Sequence, residues 1–183
     1  MIFAFSLFFF LILTPILILT VISADYSDKY VSSMEDLQPA EAIVVLASDG
    51  NVARLAREAA DMYKLKKSGL ILIAASGENK SSILRELASK LEQYEIASEF
   101  IIADYSSENV MQSCSHLRDE YKTSSAILLS PSNNLTQAMY LCHSAGLSVQ
   151  GYLHADKETN TNVLASGLNI LSAVWQAHTS PLR

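Results

Sequence analysis

Short apolar runs in this chain are each followed by small polar residues of the kinds that bind ligands or capture protons. Ser48-Asp49-Gly50-Asn51 follows Ala42 to Ala47, and Ser76-Gly77-Glu78-Asn79 follows Leu70 to Ala75. Asp104-Tyr105-Ser106-Ser107-Glu108-Asn109 follows Phe100 to Ala103, Ser130-Pro131-Ser132-Asn133-Asn134 follows Ala126 to Leu129, and His154-Ala155-Asp156 follows Leu147 to Leu153. Turns of this composition, placed at helix starts, offer backbone N–H groups and the positive end of a helix dipole, which suit an anion. Asp49 and Glu108 could act as a carboxylate pair, holding a cation or moving a proton. Arg54, about one turn into the first helical pattern, is the cation near these turns that could face a phosphate or carboxylate; it could equally be a solvated helix arginine. His154 is the histidine that falls among them, as a base or as an ordinary surface residue.

Each residue also has a purely structural use. Ser, Asn and Asp are preferred helix N-caps, and Asn134 with Gln137 has the spacing of a capping pair. The recurrence of polar turns after every apolar run is therefore stronger evidence than any single member. The candidate ligand-binding set is Ser48, Asp49, Asn51, Arg54, Ser76, Gly77, Glu108, Asn109, Ser130 and Asn134.

The elements that must position these turns are legible from periodicity. The runs are continuous and of strand length, as expected for strands covered on both faces. Between them apolar residues recur at helical spacing: Val52, Leu55, Ala56, Ala59 and Tyr63; Ile83, Leu84, Leu87, Ala88 and Leu91; Val110, Cys114, Leu117 and Tyr121; Leu135, Ala138, Met139, Cys142 and Ala145. Lys66, Lys67, Ser68 and Gly69 read as the stop of the first helix, and Gly146 as that of the fourth. Val163 to Trp175 reads as a last, rather apolar helix, which either covers the sheet or docks a partner or membrane surface. Alternating strands and helices predict an α/β fold: a three-layer, open, mainly parallel five-stranded sheet of Rossmann-like type. In such sheets ligands bind beyond the carboxyl ends of the strands, so the polar turns should share one rim.

Met1 to Ile22 contains no charged side chain and is dominated by Phe, Leu and Ile. About twenty apolar residues span a bilayer as a helix. A secretory signal would carry a basic start and a shorter apolar core, which favours an uncleaved single-pass anchor over residues 1–23, with a signal segment as the alternative. Only Lys29 precedes Arg54 after the run, which mildly favours an extracytoplasmic, periplasmic-side domain. Residues 24–40 read as a polar linker ending at Pro39-Ala40, and residues 41–183 as one domain, since about 150 residues suffice for one core.

Composition and motifs exclude several classes. The formal charge of −6 argues against a nucleic-acid polymer as partner. There is no G-x-G-x-x-G, no G-x-x-x-x-G-K-[ST] and no G-x-S-x-G, so no cofactor is implied and a serine hydrolase of the α/β type is disfavoured. His116, His143, His154 and His178 lack metal-ligand spacing, and no metal is implied. Cys114 and Cys142 form no CxxC pair; they are buried apolar residues or, in an oxidising compartment, one disulfide.

The order of motifs from Ala42 to about Leu153 resembles the SanA/ElyC/YdcF-like family, envelope-associated α/β domains often tethered by one N-terminal helix. The strand Ile43 to Leu46 with Arg54, the strand end Ser76-Gly77, the helix-opening Glu108-Asn109, and Ser130 with Ala138 match that pattern. Glu78 replaces a second glycine, Ile83 an acidic residue, Asn134 a histidine and Gln137 an arginine. The resemblance implies a role in cell-wall or surface-polysaccharide homeostasis. Asn134 and Gln137 can hydrogen-bond but cannot titrate in the usual range, which weighs against retained catalysis. The leading expectation is thus a membrane-anchored domain binding a small anionic or nucleotide-like ligand. The alternatives are a hydrolase or transferase on a phosphorylated or glycosyl substrate, with Asp49 or Glu108 as base and His154 in support, and a non-catalytic interaction module.

Overall fold

The computed structural model describes residues 29–48, 50–153, 172 and 175, with Ser132 and Asn133 described by backbone alone. The apolar run 1–22, Asp49, His154 and most of the segment 163–175 lie outside the described residues. Among the described residues, no helix is long and apolar enough to cross a membrane.

In chain order the elements are β1 (Tyr30–Val31), β2 (Ala42–Ala47), α1 (Val52–Lys64), β3 (Ile71–Ala75), α2 (Lys80–Gln93), a 3₁₀ turn (Ser98–Phe100), β4 (Ile101–Ala103), α3 (Val110–Tyr121), β5 (Ser125–Leu129), α4 (Ser132–Ser144) and β6 (Ser148–Tyr152). The strands form one sheet in the order β1-β6-β5-β2-β3-β4, and each pairing is parallel. The all-apolar strand sequences follow from burial on both faces. Ile43, Val45, Ile71 and Ile73 face one core with Leu55 and Ala59 of α1 and Leu84 and Leu87 of α2. Val44, Leu72 and Leu128 face a second core with Cys114 and Leu117 of α3 and Leu135 and Met139 of α4. The result is the expected three-layer α/β arrangement, with α1 and α2 on one face and α3 and α4 on the other.

Among the described residues the sheet has six strands rather than five. The added strand comes from the segment read as a linker: Tyr30 pairs with Gly151 and Val31 with Tyr152. That segment is fastened further along. Leu37 is 1% exposed, Lys67 Nζ donates to the carbonyls of Glu35 and Leu37 at 2.8 and 2.7 Å, and the Gln150 side chain bonds both backbone groups of Gln38 at 3.0 and 2.6 Å. Val31, Met34, Leu37 and Ala40 all pack on the first core. Their three-residue spacing fits neither a sustained helix nor an alternating strand, so the polar residues between them dominate the local composition.

Gly151 sits where β6 passes α4. A Cβ there would lie 2.6 Å from Met139 Sδ and 3.2 Å from Leu135 Cδ2. Gly151→Ala is therefore expected to lower stability by about 1 kcal/mol, since a tight core yields to an added methyl only by shifting side chains. A lower urea midpoint at unchanged slope would show it; an unaltered midpoint would mean that Met139 moves aside freely.

Candidate functional site

From β2 the chain steps outward through β3 to β4, then returns past β2 to lay down β5 on its other side. Neighbouring strands β2 and β5 therefore lead into helices on opposite faces, α1 and α4, and a crevice opens between them as the topology requires. Ser48, Ser76 and Ser130, each just past a strand end, are brought side by side at that edge. A cavity of about 260 Å³ lies there, floored by Leu46, Ala47, Ala74 and Ala75 and walled by α3 and α4.

Six of the residues singled out from the sequence line this cavity: Ser48, Ser76, Glu108, Asn109, Ser130 and Asn134. The structure does not bring Asn51, Arg54 or Gly77 into its lining. The Asn51 amide folds back on the preceding turn, accepting from the Ser48 N–H at 3.1 Å and donating to Ser48 Oγ at 2.8 Å. It thereby positions Ser48. Arg54 lies 3.8 Å from Glu58, four residues on along α1 and itself buried. As α1 packs on the other face of the sheet, Arg54 is no anion clamp for this cavity. Gly77 takes a left-handed backbone, φ +92°, which glycine adopts without Cβ strain; its carbonyl accepts from the Lys80 N–H at 3.2 Å to close the turn. Asp49 falls outside the described residues.

The rim is also divided. On the opposite face a separate depression of about 430 Å³ lies between the starts of α1 and α2, lined by Gly50, Val52, Ala53, Asn79, Ser82, Ile83 and Glu86. Turns that share one edge of the sheet thus serve two cavities, because the sheet itself stands between them.

Local geometry decides which polar groups are already occupied. α3 is capped: Asn109 Oδ1 accepts from the Gln112 N–H at 3.0 Å, and Gln112 Oε1 accepts from the Glu108 N–H at 2.7 Å. The capping pair expected at Asn134 and Gln137 does not form. α4 begins two residues earlier, at Ser132, and Pro131 in the cap position makes no side-chain cap bond. Asn134 is instead on the first turn of the helix, facing the cavity, while Gln137 Nε2 donates to Ser172 Oγ at 3.2 Å. Ser130 is buried, and its Oγ has no hydrogen-bond partner among the described residues.

The loop after β4 is held by Asp104. Its Oδ1 accepts from the backbone N–H groups of Ser106 and Ser107 at 3.2 and 3.0 Å, and from Ser106 Oγ at 3.0 Å. Burial works to raise the Asp104 carboxyl, but hydrogen bonds from Ser107, Ser113 and Ser106 outweigh it and hold the group at about 2. His116 Nδ1 lies 3.3 Å from Ser106 Oγ, 3.2 Å from Ser107 Oγ and 3.8 Å from Asp104 Oδ1. All three approach the same ring nitrogen, so among the described residues the cluster does not form the acid–base–nucleophile relay of a hydrolytic triad, which needs partners on both nitrogens. Lys80 Nζ donates to the Ser107 carbonyl and ties this loop to the start of α2.

Cys114 and Cys142 form a disulfide that joins α3 to α4. Each is next in sequence to a cavity residue, Ser113 and Leu141. Ser113, Gln137 and Leu141 were not among the residues singled out for binding. Ser113 is four residues after Asn109, hence on the same helix face, which was the available signal. Among the described residues, Glu108 is the one ionisable side chain lining the cavity, and no group of three or more His, Cys, Asp or Glu could hold a metal ion. No family model matches the chain, and no curated protein matches it.

Proposed function

We propose that this protein is a membrane-tethered binding domain that takes a small anionic or nucleotide-like molecule into the cavity between α3 and α4, without turning it over, in the service of cell-envelope homeostasis. The observation that carries the reading is the cavity itself. It lies at the switch point of a parallel sheet, and the Ser76 hydroxyl, the Asn134 amide and the buried Ser130 hydroxyl are not engaged with other described residues. Polar groups converging on a partly apolar cavity are the ordinary make-up of a small-molecule site.

The apolar run Met1 to Ile22 supports the tether. The Cys114–Cys142 bond supports an extracytoplasmic position, because disulfides persist in oxidising compartments. The resemblance to the SanA/ElyC/YdcF-like family supports the envelope role. Binding without turnover is supported by Asn134 and Gln137, neither of which transfers a proton near neutrality.

The test is a panel of nucleotides and sugar phosphates titrated calorimetrically into the full chain in detergent. At least one member is expected to bind, and Asn134→Ala to weaken it roughly tenfold, about 1.4 kcal/mol. A panel that binds nowhere, or binding indifferent to Asn134, overturns the assignment.

A further inference from the structure

We propose that the group seated in the cavity is an uncharged, hydroxyl-bearing ring, the sugar portion of the ligand, while any phosphate stays outside; this rests on the binding function just argued and narrows it. The side chains around the cavity are complementary to hydroxyls rather than to an anion. Glu108 places a carboxylate at its wall, and that charge repels a phosphate but accepts hydrogen bonds from neighbouring hydroxyls. Asn134 offers both a donor and an acceptor, matching a hydroxyl, which is itself both. The cation expected to face an anion, Arg54, lies instead beside Glu58 on the far side of the sheet.

Deeper in, Ser130 Oγ is buried without a hydrogen-bond partner among the described residues. An unpaired buried hydroxyl costs free energy that a ligand hydroxyl reaching it would recover. The floor of Leu46, Ala74 and Ala75 gives a ring an apolar face to rest on, as the C–H face of a sugar requires. The volume of about 260 Å³ is enough for one ring.

The experiment is saturation-transfer NMR on the full chain in detergent with glucose, N-acetylglucosamine, their 1-phosphates and inorganic phosphate as probes. The neutral sugars are expected to receive saturation at their ring protons, and each 1-phosphate to bind through the same protons. Inorganic phosphate at equal concentration should not displace them. Glu108→Gln and Asn134→Ala, both exposed positions whose side chains make no hydrogen bond or ion pair among the described residues, should each weaken neutral-sugar binding at least fivefold. Displacement by inorganic phosphate, or binding of the 1-phosphates but not of the neutral sugars, overturns the proposal while leaving the binding function intact. Sugar binding indifferent to both variants places the sugar elsewhere and also overturns it. Silence from every probe overturns this proposal, and the nucleotide panel above then decides the fate of the binding function.

Discussion

Cys114→Ala/Cys142→Ala is expected to lose roughly 3–4 kcal/mol of stability, the largest effect of any change considered. The bond closes a loop of sequence separation 28, and restricting an unfolded chain by a loop of that length is worth about that much in the chain-entropy account. For a domain of this size the loss corresponds to a fall in melting temperature of roughly 10 °C. Dithiothreitol should reproduce most of the loss in the wild type and none of it in the variant. Because the bond joins the two helices that wall the cavity, ligand affinity should fall together with stability. A variant as stable as the oxidised wild type would mean that the apolar contacts of α3 and α4 alone hold the cavity closed.

Asp104→Asn is expected to cost about 2 kcal/mol at neutral pH. The carboxyl is held at about 2 against an ordinary 3.8, and each unit of displacement is worth about 1.4 kcal/mol. Its side chain is only 3% exposed, so solvent screening takes little from that figure. The sign follows from linkage: with the folded pKa below the unfolded one, the stabilisation is complete above about pH 4 and disappears as the pH falls toward 2. Wild-type stability should therefore decline across that window more steeply than that of Asp104→Asn, as read from urea midpoints at stepped pH. Parallel curves would show that the hydrogen bonds to Asp104 are as good with a neutral amide. Failure of the loop after β4 would also displace Glu108 and Asn109, so the variant is expected to bind ligand more weakly.

Much of the layout was legible because two periods do not resemble each other. Continuous runs such as Ile71 to Ala75 can only be buried strands once residues such as Leu84, Leu87 and Leu91 recur between them at helical spacing. What escaped was set by contacts distant in sequence. β1 has two residues and pairs with a strand far along the chain, so nothing near Tyr30 announces it. The stop of the first helix was misread: Lys66, not Gly69, takes the left-handed turn after α1, at φ +55°, and Glu95 and Lys122 take the same conformation after α2 and α3. The bond from the Lys67 N–H to the Met62 carbonyl at 3.0 Å is satisfied there, which offsets the modest cost of that conformation in a non-glycine residue.

At the site, the sequence marked the rim but not its partition. Ser48 and Gly50 stand two residues apart yet face different cavities, because a strand end abuts both layers. Arg54 stands outside the lining of the cavity between α3 and α4 and lies 3.8 Å from Glu58, one turn on; the Asn134–Gln137 cap, read from spacing, does not form because α4 starts at Ser132.

The two outermost strands have a consequence for how molecules of this kind meet one another. Among the described residues, the sheet ends at one margin in β1, of two residues, and at the other in β4, of three. A neighbouring chain seeking to extend the sheet finds scarcely a rung on which to build, and stubby margins are how parallel-stranded proteins stay apart when crowded. At high local concentration, that brevity guards against fibrous stacking.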